Sequence, residues 1–250
     1  MKYLLFALFS GILFAQNPLI DIAQMARVAY DDDMITPFES LYVHENKLYG
    51  NRLVAVRNIQ ADTIYIAIRG TSNFQNWISN AHIAPTEHVL DYIFSWERLV
   101  KYKKHYDHAK DKNRDWFISA FEDLRKVVAW LLKGHPNSRI IFTGHSYGGT
   151  MANLLAQNAY HQNPDLNFEC HAFNAPGGRK IRINTLGIPD LPQEVLNRLF
   201  TNHVRVTDIV PMLNTHDGVL LSYPGVTLNP LDEHGMDYFL EDLINGMQPI

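Results

Sequence analysis

Residues 139–157 read RIIFTGHSYGGTMANLLAQ. The apolar run Ile140-Ile141-Phe142 leads into Gly144-His145-Ser146-Tyr147-Gly148-Gly149, and an Ala/Leu-rich helical pattern follows at once. Where a strand turns directly into a helix, the two backbones pass close together. Side chains two residues either side of the corner collide there, so Gly144 and Gly148 suit the turn and Ser146 is held out at its strained apex. A Gly-x-Ser-x-Gly pattern alone is weak, since ordinary Gly and Ser usage produces one in about one chain in ten of this length. Its position between a β-branched run and a helix makes it a candidate nucleophile elbow, and Gly149 and Ala152 keep the helix thin where it packs on the sheet. The helix N-terminus also aims backbone amides at the corner, where they favour a developing negative charge.

Outward from this corner, the chain alternates. Residues 114–133 carry an amphipathic helical pattern closed by Gly134; a strand follows at 139–143, a helix at 147–160, a strand at 167–174, a helix near 192–200, the strand of NHVRVTD, and a C-terminal helical stretch, HGMDYFLEDLI. Upstream, 18–30 has helical spacing and 40–69 reads as a β meander with turn chemistry at Asn46 and Gly50-Asn51. Such alternation predicts an α/β fold, a mainly parallel sheet with helices on both faces. Sites in such folds lie beyond the carboxyl ends of strands. Ser146, Asp208 and Asn174-Ala175 all fall there.

A serine hydroxyl needs a base, and the base needs an orienting acid. In elbow-bearing α/β folds the chain order is Ser, Asp or Glu, His. Asp208 ends the strand HVRVT, whereas Asp190, Asp217, Asp232 and Asp237 lie in loops or a helix and read as solvated charges. Among the histidines, His234 precedes the last helix in a loop free to reach over the sheet, and His216 in NTHDG is its rival. His203 reads as a structural strand residue, His161 as a helix end and His171 as part of a sheet face.

Four segments, IYIAIRGTSNFQNWISN, IIFTGHSYGGTMANLLA, VRVTDIVPML and EHGMDYF, occur in the order of the signatures of the class 3 lipases, which this chain resembles over roughly residues 63–240. The resemblance implies an α/β-hydrolase fold and carboxylic-ester hydrolysis without a cofactor. It maps the nucleophile onto Ser146, the acid onto Asp208 and the base onto His234. It also maps the oxyanion hole onto Thr71, after the Arg69-Gly70 pair, and onto the Tyr147 backbone amide. The chain departs from the family pattern in having Tyr rather than Leu after the serine. It also lacks a His-x-Gly-Phe element before the long helix, and its DIVP-to-His spacing is short.

The chain of 250 residues is 46% hydrophobic and 19% charged with a formal net charge of -4, a balance that does not point to a nucleic-acid partner. The lone Cys170 excludes an intramolecular disulfide. MKYLLFALFSGILFAQ resembles a secretory signal peptide over residues 1–15, leaving 16–250 as one domain and predicting a secreted or periplasmic protein. Its apolar run, Tyr3 to Phe14, is short of the roughly 20 residues a spanning helix needs. The resemblance places a lid after Trp77, where Phe74 to Trp96 is rich in apolar and aromatic residues that suit either an acyl-binding cover or core. The basic run at 98–114 offers transient contact with a membrane surface, or a solvated helix face. His105 and His108 lack a third ligand and Asp31-Asp32-Asp33 is no stronger as a calcium site, so no metal is expected. The same residues would serve acyl transfer to an alcohol acceptor, and a non-catalytic lipid-binding relative would retain the fold. Oligomeric state leaves no sequence signal.

Overall fold

The computed structural model describes residues 18–31, 38–70, 117–225 and 233–250. Its frame is a seven-stranded sheet in the order β1 to β7. Strands β1 (Phe38–Asn46), β2 (Asn51–Asn58) and β3 (Thr63–Ile68) form the expected antiparallel meander. From β3 onward the pairing is parallel through β4 (Arg139–His145), β5 (Phe168–Phe173), β6 (Phe200–Arg205) and β7 (Val219–Tyr223). Parallel neighbours need crossovers. Here these include α3 (Tyr147–Gln162) between β4 and β5 and α4 (Gln193–Leu199) between β5 and β6. Helix α1 (Pro18–Val28) precedes the sheet, α2 (117–134) precedes β4, and α5 (Met236–Ile244) follows β7.

The period-2 alternation of strand side chains divides the interior into two apolar layers. Ile64, Ile66, Ile68, Ile140 and Phe142 face one layer, completed by residues of α2, α3 and α4. Val54, Val56, Tyr65, Ala67 and Ile141 face the other, completed by α1 and α5. Burial on both faces explains why β2 to β4 read as near-continuous apolar runs rather than clean alternation. Cys170, in the middle of β5, is fully buried in the first layer, as expected of a small apolar-like residue.

Strand β7 and the short helical segment at Arg179–Leu186 were not legible in the sequence. The burial along β7 is mostly partial, as befits an edge strand, so its pattern carries no strong period. No helix among the described residues is long and apolar enough to cross a membrane. The expected leader at 1–15, Thr71, the aromatic segment 74–96, the basic run at 98–114 with His105 and His108, Asp32-Asp33 and Asp232 lie outside the described residues.

Candidate active site

The corner between β4 and α3 has the predicted form. Ser146 takes φ 58° and ψ -134°, a positive-φ conformation that a non-glycine residue keeps only when its surroundings enforce it. The surroundings are glycine-lined. A Cβ at Gly144 would lie 2.8 Å from the Gly149 nitrogen, and one at Gly148 would lie 2.7 Å from the Gly70 nitrogen. A Cβ at Gly149 would meet Ala175 Cβ at 2.7 Å. The Ser146 amide donates to the Phe173 carbonyl at 2.9 Å, and its own carbonyl accepts from Gly149 and Thr150 in the first turn of α3. The corner is thus fixed by main-chain contacts on both sides.

Two further side chains converge on Ser146. His234 Nε2 lies 2.9 Å from Ser146 Oγ, and His234 Nδ1 lies 2.7 Å from Asp208 Oδ2. A carboxylate beside Nδ1 holds the proton there, which leaves Nε2 to accept from the serine hydroxyl. The other Asp208 oxygen accepts the Val210 amide at 2.9 Å, so the carboxylate, fully buried, has both oxygens engaged. Asp208 sits just past β6, at the carboxyl edge of the sheet, and His234 in the loop before α5.

The loop bearing His234 is held by polar contacts absent from the sequence reading. Arg205, the last residue of β6, is almost wholly buried; it donates to Glu233 Oε2 at 2.6 Å, to the Tyr238 carbonyl at 3.0 Å and to Asp242. Its guanidinium lies over the Phe239 ring at 5.4 Å. Asn174, at φ 43° just beyond β5, donates from Nδ2 to the Glu233 carbonyl at 3.0 Å and accepts the Arg205 amide at Oδ1. His145 Nε2 lies 2.6 Å from the His234 carbonyl oxygen. An arginine in a buried parallel strand was the available signal, because such a charge must be paired.

The other candidates separate from this cluster. His216 is bonded to the Pro211 carbonyl at 2.8 Å, and burial lowers its basicity. His203 is buried in β6, bonded to Tyr223 Oη at 2.9 Å and stacked on Phe173, a structural role as expected. His171 faces it across the sheet, Nδ1 to Nε2, at 3.0 Å, and His161 lies in the last turn of α3. Asp237 is exposed and paired with Arg27. Asp217 departs from its expected solvation: it is buried, where it accepts from Arg182 at 3.0 Å and from Gln157 at 3.1 Å. The reason is Arg182, a fully buried cation that requires a carboxylate; it also binds the exposed Asp190. Arg69 bonds Glu45 and the Gly50 carbonyl, tying loops as expected. The Tyr147 ring is buried edge-on to Phe117, and its amide stands at the first position of α3. Among the described residues no group of His, Cys, Asp and Glu side chains is arranged to hold a metal.

The chain is similar to known lipases. The curated lipases of Rhizopus niveus and Rhizopus oryzae are each 27% identical over 217 residues, which is 82% of this chain and 47% of theirs. The chain therefore spans about half the length of the curated relatives it matches. Among solved structures, the Rhizomucor miehei triacylglyceride lipase aligns with a TM-score of 0.51 at 20% identity, covering 86% of this chain and 79% of that one. A triacylglycerol lipase whose catalytic centre is described as a serine protease triad aligns at 0.52 with 19% identity, covering 81% and 77%. These overlays identify the fold as that of the α/β-hydrolases. A family model described as Lipase (class 3) matches residues 65–219, from β3 through the elbow and Asp208 into β7, and the chain belongs to that family.

Proposed function

We propose that this chain is a serine carboxylic-ester hydrolase acting on lipid esters, with Ser146, His234 and Asp208 as its triad. The observation that carries the reading is the unbroken line Ser146 Oγ to His234 Nε2 at 2.9 Å and His234 Nδ1 to Asp208 Oδ2 at 2.7 Å. Ser146 Oγ attacks the ester carbonyl while His234 takes its proton. His234 then gives that proton to the departing alcohol. Asp208 keeps the imidazole in the required tautomer and stabilises its charged form. The Tyr147 amide, at the start of α3, is one donor to the tetrahedral oxyanion, and Thr71 is assigned as the second by the family resemblance. Water, activated by the same histidine, releases the acyl group. His234 moves every proton in this cycle, so the proposal includes no cofactor.

The leader-like sequence at residues 1–15 supports export to a secreted or periplasmic location. Transient contact with a lipid surface is supported by the exposed Val206 and Met212, which flank Asp208 in the chain, and by the apolar segment 74–96.

Hydrolysis of p-nitrophenyl esters of graded acyl length tests the activity. Wild type is expected to turn over at least one of them and to be labelled at Ser146 by a fluorophosphonate. Ser146→Ala is expected to lose about 10⁶-fold in kcat and all labelling. Folded wild type that matches Ser146→Ala on every ester and on mixed lipid vesicles overturns the proposal.

A further inference from the structure

We propose that Tyr30 and His145 are positioning residues for this reaction, tying the main chain of His234 to the end of β3 beside Ser146. The inference rests on the triad reading above. The two residues are far apart in sequence and belong to different elements, Tyr30 following α1 and His145 ending β4. Tyr30 Oη lies 3.0 Å from His145 Nδ1 and accepts the Gly70 amide at 3.1 Å. A longer approach of the hydroxyl, 3.5 Å, is to the His145 carbonyl. On its other side, His145 Nε2 lies 2.6 Å from the His234 carbonyl oxygen.

The chemistry of these atoms permits one direction for the chain. The His234 carbonyl only accepts, so His145 Nε2 carries a proton. In a neutral imidazole the other nitrogen is then an acceptor, and the Tyr30 hydroxyl must donate to it. The hydroxyl oxygen is left to accept the Gly70 amide. Each group has a single role, from the Gly70 N–H through the phenol and the imidazole to the His234 carbonyl. Burial supports this assignment: it holds His145 neutral, with its pKa lowered to about 3, and keeps the Tyr30 phenol protonated.

Both ends of the chain touch reacting geometry. Gly70 is close enough to the nucleophile that a Cβ there would stand 3.3 Å from Ser146 Cβ, and it immediately precedes Thr71. At the other end, the His145 and His234 rings are 4.7 Å apart and inclined at 41°. A cation forming on His234 during turnover therefore faces a neutral ring that also grips its backbone. Asp208 fixes the imidazole of His234 from the side chain, and His145 fixes the same residue from the main chain. Neither Tyr30 nor His145 would touch substrate.

The test uses the full chain and the variants Tyr30→Phe, His145→Ala and His145→Gln, with the concentration of competent sites fixed by fluorophosphonate titration. Tyr30→Phe removes one oxygen atom and keeps the ring packing. It is expected to lower kcat per titrated site about tenfold, because small displacements of a catalytic group are costly in rate, with KM changed less than about twofold. His145→Ala is expected to lose more. His145→Gln, whose amide can donate to the same carbonyl, is expected to recover much of that loss. The inference is overturned if Tyr30→Phe retains wild-type kcat per site, if only the number of titratable sites falls, or if KM rises with kcat unchanged. An inactive wild type would instead overturn the triad reading, so the two failures are distinct.

Discussion

The nucleophile and its base are held in place by different physics. Ser146 is fixed by main-chain sterics: glycines at 144, 148 and 149 allow β3, β4 and α3 to approach until nothing larger fits. His234 is fixed by charges and hydrogen bonds gathered from distant parts of the chain, with Arg205 and Glu233 below it, Asn174 beside it, Asp208 at its ring and His145 at its carbonyl. The first arrangement depends on what is absent from a few adjacent residues. The second depends on what several remote residues contribute. A steric corner tolerates almost no substitution but is indifferent to pH and salt, whereas a polar clamp is sensitive to the charge of each member.

Breaking the clamp should give the largest stability effect. Arg205→Met preserves much of the side-chain volume but breaks the buried Arg205–Glu233 ion pair, a loss that costs about 3–5 kcal/mol. Thermal or urea denaturation measures this, and adding Glu233→Gln to the same protein is expected to restore part of the loss by removing the buried negative charge that Arg205 balanced. The elbow should respond next. Gly148→Ala drives a methyl into the backbone of Ile68 and Arg69, and its cost is about 3 kcal/mol, at the upper end of ordinary overpacking. No second-site charge change should relieve it. If an electrostatic substitution rescued Gly148→Ala, the distinction between the two arms would fail.

The smallest effect concerns pH. His145, held near 3, and His203, also lowered by burial, take up protons more readily in the unfolded chain than in the folded one. Their contribution to stability is complete above about pH 6.5 and is lost as pH falls below it, for His145 down to about 3. Asp21 acts in the opposite sense. Burial raises its carboxyl to about 6, so its favourable contribution is present below about pH 4 and is lost as pH rises through 6. Asp21→Asn should therefore stabilise the protein by about 1–2 kcal/mol at pH 8, the full effect of the shift being reduced by solvent screening at this carboxyl, and by nothing at pH 4, as read from denaturation midpoints. A gain of equal size at both values would show that the carboxyl titrates normally.

The same contrast explains what the sequence revealed. The elbow, its flanking strand and helix, and the alternation of later elements were legible because each rests on local periodicity or on glycine spacing. Asp208 was legible because it ends a strand. His234 was favoured over His216 by its loop position just before the last helix, and the family resemblance made the same choice, although a loop histidine carries no local mark of its bonding partners. Asn174 could be seen only as a residue at a strand end, and its bridge between β6 and the His234 loop was hidden. Asp217 was misread because its partner Arg182 lies far upstream in a segment with no clear helical period. Tyr30 read as the end of an amphipathic helix, and nothing local joins it to residues 70 or 145.

Cys170 is the chain's only cysteine, and it is sealed within β5, where burial also drives its thiol toward the protonated, unreactive form. The folded protein thus presents no sulfhydryl to a maleimide. A cysteine introduced at an open position such as Leu48 would be the sole reactive handle, ready for a fluorophore or spin label without removal of any native side chain. Ensemble or single-molecule distance measurements can start from that one change.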